Sequence, residues 1–228
     1  QIKNFEKAKE HYLRTINLNS EHWESKINLV IIYIEQENFE LALKYVDEVL
    51  IHKNNYQPAL RDKALVLYYL NRFEEALPFI NLSIQLNNKD YIALNTLGLI
   101  HIALSNLSFA KKCFLEAIKL NNKYELSFIN LGRCFELLNS PEDSFKCFLE
   151  AEKINPDSSI ILNNIGGYYV DQGKYIKALD YYLKAYKKNN LDLLVLSNLA
   201  KTYFYLDNFE LAEKYIKNCL EINNTSDD

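Results

Sequence analysis

The sequence has no methionine, one tryptophan, four prolines and five glycines in 228 residues. So little glycine and proline leaves few irregular loops and points to regular elements joined by short turns. The four cysteines, Cys113, Cys134, Cys147 and Cys219, match no metal or redox spacing. They are expected as free thiols filling small core sites, which favours a reducing intracellular (cytoplasmic) compartment. No apolar run approaches the roughly 20 residues that cross a bilayer, so no membrane insertion is expected. There is no basic run, arginine occurs four times, and the net charge is −4, which argues against a nucleic-acid surface. No glycine-rich phosphate loop, G-x-S-x-G or H-E-x-x-H is present. His11, His22, His52 and His101 are scattered, and His101 is expected as a satisfied core histidine. Nothing points to a catalytic residue, a metal site or a cofactor, so this stretch is not expected to be an enzyme. It starts at Gln1 without a methionine and reads as a fragment of a longer protein.

What is present is a period. NFELA occurs at 38–42 and again at 208–212, 170 residues or five times 34 further on. Steps of 34 pass through NFEKA (4–8), RFEEA (72–76), NLSFA (106–110), SPEDS (140–144) and KYIKA (174–178) without insertion or deletion. A fixed period of this length marks stacked supersecondary units. With the Ala of NFELA set as column 20, a half unit (1–22) precedes six whole units: 23–56, 57–90, 91–124, 125–158, 159–192 and 193–226. Residues 227–228 are a polar tail.

Two helical stripes fill each unit, columns 4, 7, 8 and 11 and columns 17, 20, 24, 27 and 28. Column 20 holds Ala8, Ala42, Ala76, Ala110, Ser144, Ala178 and Ala212, and column 8 holds Val30, Ala64, Gly98, Gly132, Gly166 and Ala200. Small residues there let two helices approach closely. Polar slots at columns 15–16 and 31–33 hold 18 of the 27 asparagines, where turn chemistry favours them. The predicted unit is helix, turn, helix, turn, in an all-α array of about thirteen helices whose first covers roughly residues 3–18.

These columns resemble the tetratricopeptide repeat (TPR), most clearly at Leu162, Ile165, Gly166, Tyr169, Gly173, Tyr175, Ala178, Tyr182 and Ala185. The resemblance implies a right-handed superhelical solenoid and a protein-interaction scaffold whose first helices line a concave groove at columns 2, 5, 6, 9, 12 and 13. Lys26, Lys63 and His101 depart from the pattern by replacing apolar residues.

Column 6 reads Asn28, Asp62, Thr96, Asn130, Asn164 and Asn198, although asparagine is a mediocre helix former. Its amide offers a donor and an acceptor together, matching a peptide bond. The row is similar to the asparagine ladder of the O-linked N-acetylglucosamine transferase superhelix, with Asp62 and Thr96 interrupting it. Column 12, with Tyr68, Ile102 and Phe204, adds apolar lining, as does column 2. The expected partner is a protein or peptide held as an extended segment in the groove. Two further readings stand beside it: the substrate-presenting arm of a larger enzyme such as a glycosyltransferase, and end-to-end self-association through uncapped ends.

Overall fold

The structure, a computed structural model, describes the backbone of residues 2–225 and the side chains of residues 5–222. Among the described residues there are thirteen helices and no strand. They are α1 (Ile2–Leu18), α2 (Trp23–Glu35), α3 (Phe39–His52), α4 (Gln57–Tyr69), α5 (Phe73–Leu86), α6 (Tyr91–Ala103) and α7 (Leu107–Leu120), then α8 (Glu125–Leu137), α9 (Pro141–Ile154), α10 (Ser159–Asp171), α11 (Tyr175–Lys188), α12 (Leu193–Tyr205) and α13 (Phe209–Thr225). The fold is that of an all-α repeat solenoid.

Two compact units divide the chain, Gln1–Asn121 and Asn122–Asp228. In the first, α1 precedes the hairpins α2–α3, α4–α5 and α6–α7, and each second helix, B, packs on the next first helix, A. The second unit holds α8–α9, α10–α11 and α12–α13, stacked by the same rule. Every A helix has thirteen residues and fills columns 1–13. The B helices α3, α5, α7, α9 and α11 have fourteen and fill columns 17–30.

One turn recurs between A and B. Its residue at column 15 is left-handed in all six units: Glu37, Asn71, Ser105, Asn139, Gly173 and Asp207, with φ between 56° and 67°. The next amide closes a six-residue ring onto the helix, as in Asn38 N–H to Tyr33 O at 2.8 Å and Lys174 N–H to Tyr169 O at 2.8 Å. The column-15 amide closes the inner ring, Gly173 N–H to Val170 O at 2.9 Å. That pair of bonds is the Schellman motif, which satisfies carbonyls the helix end would otherwise orphan.

Helix starts are capped less uniformly. Asp90 Oδ1 accepts from the Ile92 and Ala93 amides and Asp192 Oδ1 from those of Leu194 and Val195, at 2.9–3.3 Å. Ser140, the residue before α9, makes no such bond, and Pro141 occupies the first turn, where no N–H is needed. Helix α5 continues through Pro78.

Column 20 is buried in every whole unit. Columns 8 and 24 are matched in size. A Cβ on Gly98, Gly132 or Gly166 would stand 2.5 Å from a ring carbon of Phe114, Phe148 or Tyr182, the column-24 residue of the same hairpin. Where column 8 is Val30, Ala64 or Ala200, column 24 is Val46, Ile80 or Ile216. A ring is used only where its partner has no side chain.

The odd residues of the stripes are accommodated by pairing. Lys26 Nζ lies 3.0 Å from Glu48 and 5.2 Å above the Trp23 ring, while Lys63 Nζ lies 2.6 Å from Asp47 and 4.2 Å above Phe79. His101 corrects the expectation of a satisfied core histidine. It stacks on Phe109 at 5.4 Å, its Nδ1 is buried without a hydrogen-bond partner, and burial lowers its pKa.

Candidate protein-interaction site

The A-helix face differs between the two units. In the first, a network of its own fills the space. Arg61 Nε donates to Asp62 Oδ1 at 2.8 Å and Arg61 Nη1 to Asp90 Oδ2 at 3.2 Å, and Gln57 Nε2 donates to the same Asp90 oxygen at 2.7 Å. Asp62 is 3% exposed, and burial raises its carboxyl pKa against the pull of Arg61. Thr96 is 2% exposed and its hydroxyl returns to its own helix, donating to Ile92 O at 3.0 Å. Asn28, Tyr68 and Ile102 are half-buried, with the Tyr68 ring against Tyr69 and Phe73.

The second unit leaves the face open. Leu126, Ile160 and Leu194, the column-2 residues of α8, α10 and α12, are each more than 40% exposed. Further along these helices, residues of α8, α10, α11 and α12 line a polar pocket of about 220 Å³. Asn164 and Asn198 line it, with Asn163, Gly167, Lys201 and Thr202. Glu136 and Asp171 contribute the carboxylates, and Val170 and Tyr182 complete the wall. Asn198 Nδ2 donates to Asn163 Oδ1 at 2.8 Å, and Thr202 Oγ1 donates to Asn198 O at 2.7 Å. Asn164 Nδ2 is buried and has no hydrogen-bond partner. Burial, followed by the repulsion of Asp171, raises the Glu136 pKa against the pull of Arg133.

Of the predicted site residues, the structure thus brings Asn164 and Asn198 together at one pocket. Asn130, on α8, is buried and is not part of the lining. The expectation that column 6 faces a groove throughout is corrected at Asp62, Thr96 and Asn130, which have next to no free surface. Phe204 is 58% exposed and belongs to a second, apolar pocket of about 480 Å³ with Tyr205, Ile216 and Leu220.

Column reading missed Glu136, Asp171, Lys201 and Gly167. The signal was there: Glu136 breaks an otherwise apolar column 12, and Gly167 is the only glycine in column 9. Among the described residues no group of three or more His, Cys, Asp or Glu side chains could hold a metal ion, and no helix is long and apolar enough to cross a membrane.

Family models described as tetratricopeptide repeat match residues 91–124 and 195–226, and another of the same description matches 160–189. No curated protein is similar in sequence. Among solved structures, a chain of the APC/C hetero-tetramer Cut9–Hcn1 is similar over 96% of this chain, with a TM-score of 0.84 and 16% identity. The similarity covers 43% of that longer chain, so this chain spans less than half its length. TTC0263, a TPR protein of Thermus thermophilus, gives a TM-score of 0.73 and 18% identity over 80% of this chain and 99% of its own. YrrB, described as a TPR protein with an unusual peptide-binding site, gives a TM-score of 0.56 and 19% identity over 78% of this chain and 91% of its own. Three segments of the chain thus match the tetratricopeptide repeat in sequence, and the array of hairpins has the fold of tetratricopeptide-repeat proteins.

Proposed function

We propose that the protein is a protein-interaction scaffold that binds an extended segment of a partner along the A-helix face of residues 122–225. The observation that carries this reading is the polar pocket lined by Asn164 and Asn198, with exposed Leu126, Ile160 and Leu194 on the same A helices. A hydrogen bond gained between a side-chain amide at the pocket wall and a peptide group contributes about 0.5–1.5 kcal/mol. YrrB, with its peptide-binding site, offers a precedent on a similar fold. The full asparagine ladder is thereby narrowed to Asn164 and Asn198.

Packed helices stand about 8–10 Å apart, and an extended chain advances about 3.1–3.4 Å per residue. A bound segment therefore meets successive A helices every third residue. Polyproline II, with three residues per turn, keeps those side chains on one face. A displayed library of random twelve-residue segments, selected against the protein, is expected to yield binders with apolar residues three apart. Asn164→Ala and Asn198→Ala should each weaken them about tenfold while the helical circular dichroism is kept. A library that yields nothing, or binders indifferent to both substitutions, overturns the reading.

A second reading, end-to-end association of two copies, rests on the apolar pocket. Ile216 and Leu220 are 50% and 56% exposed, whereas Tyr182, one repeat earlier, is 2% exposed with α12 packed against its helix. At Tyr182 the cover is an A helix, α12, so the α13 face fits a helix of that kind, which in this reading a second copy of the chain supplies. Sedimentation should show mass rising with concentration, and Ile216→Lys should abolish the rise; a constant monomer mass refutes it.

A further inference from the structure

Gly166 and Gly167 are neighbours in α10 with different reasons to be glycine. Gly166 must be, since any Cβ would meet the Tyr182 ring at 2.5 Å. Gly167 faces nothing closer than the Tyr182 hydroxyl at 3.8 Å, which is ordinary contact. A glycine inside a helix loses about 0.5–1 kcal/mol relative to alanine. Here that loss serves no packing need. What the missing side chain does is leave the floor of the polar pocket open, at a column filled by Leu65 and Leu99 in the first unit.

The pocket's chemistry defines an occupant. Its volume of about 220 Å³ is below the roughly 300–1,000 Å³ of sites for whole small molecules, so one side chain fits rather than a metabolite. Glu136 and Asp171 both line it, and neither makes an ion pair within 4.0 Å among the described residues. The one cation in the lining, Lys201, places its ammonium 5.8 Å from the Tyr205 ring centroid. Arg133, three residues before Glu136 on α8, attracts it without forming an ion pair within 4.0 Å, and Arg133, Glu136 and Asp171 are all exposed to solvent. Two unpaired carboxylates repel an anion, and the amides and hydroxyls disfavour an apolar group.

We propose that this pocket is a specificity site for a lysine or arginine side chain of the bound segment, its charge held by Glu136 and Asp171. Asn164 and Asn198, which line the same pocket, face the backbone of that residue or of an adjacent one. Arginine fits better than lysine, because its planar fork can serve two carboxylates at once. The inference rests on the extended-segment reading above, which it makes more specific.

The test uses ethylguanidinium as a free probe of the pocket, with sodium acetate at matched ionic strength as the control. In ¹H–¹⁵N spectra of the full chain, ethylguanidinium is expected to shift the Asn163, Asn164 and Asn198 side-chain amides saturably. Acetate should leave them in place. Gly167→Leu, which fills the floor, and the near-isosteric pair Glu136→Gln and Asp171→Asn should each weaken the probe about tenfold or more. Glu213→Gln, on the distant α13 surface, should not. Circular dichroism confirms that each variant stays folded. Absent or unsaturable shifts, equal shifts with acetate, or retained binding in the neutralised variant overturn the proposal. The library separates its failure from that of the parent reading: segments that need Asn164 but carry no basic residue sink the cation site and leave the scaffold standing.

Discussion

Replacing two adjacent glycines by alanine should move stability in opposite directions. For Gly166→Ala the new Cβ would lie 2.5 Å from Tyr182 Cε1, and the ring cannot swing aside because Tyr182 is 2% exposed and packed between hairpins. Overpacking of this kind costs about 1–3 kcal/mol. Removing a helical glycine returns about 0.5–1 kcal/mol, leaving a net loss of about 1 kcal/mol at mid-range and at most about 2.5 kcal/mol. For Gly167→Ala only the helical gain remains, so stability should rise by about 0.5–1 kcal/mol. Tyr182→Ile in the Gly166→Ala background recreates the pairing of Ala64 with Ile80 found elsewhere in the chain. The double variant should be more stable than the sum of its singles by about 1 kcal/mol or more. Urea titration followed by circular dichroism gives the values. Hydrogen exchange of α10 and α11 accompanies it, since repeat arrays can open unit by unit. A neutral or stabilising Gly166→Ala, or additive behaviour of the pair, would refute the size-matching argument.

At the recurring turn, Ser105→Gly should stabilise the chain by about 0.5–1 kcal/mol and Gly173→Ala should destabilise it by about 1 kcal/mol, because both positions are left-handed at φ 60° and 67°; equal urea midpoints for both variants would contradict this. Burial pushes the Cys113 and Cys147 thiols up from 9.0 to about 11. Only the thiolate reacts, so at pH 8 their alkylation by iodoacetamide should be about 100-fold slower in the native chain than in urea, with the rate rising toward pH 11. Mass spectrometry of the labelled peptides measures it, and equal native and unfolded rates would exclude the effect.

The helices were legible because the period carries them. A stripe that returns every 34 residues fixes where each helix faces, and polar slots mark where it stops. The turn was less legible. Column 15 holds Glu37, Asn71, Ser105, Asn139, Gly173 and Asp207; glycine, asparagine and aspartate favour a left-handed conformation, whereas Glu37 and Ser105 give no sign of it. The conformation is imposed by the two amide bonds that close each helix end, a property of the backbone that side-chain identity records poorly.

The site was legible only in part, for a related reason. Reading by column averages over units, whereas a binding site arises where one unit departs from the others. Column 6 looked like a row of equivalent positions, yet exposure there is set by neighbours. Arg61 closes over Asp62 in the first unit, while Gly167 leaves Asn164 beside open space in the second. A fold built by repetition needs its columns alike, so residues that break a column at an energetic cost to the helix or the core are the ones to ask about function. Gly167 breaks column 9 and Glu136 breaks column 12, and both line the same pocket. Lys26 and Lys63 break columns too, but each is answered by a carboxylate and a ring from its own or the preceding repeat. The difference between a departure the fold compensates and one it leaves open is what separates packing from binding here.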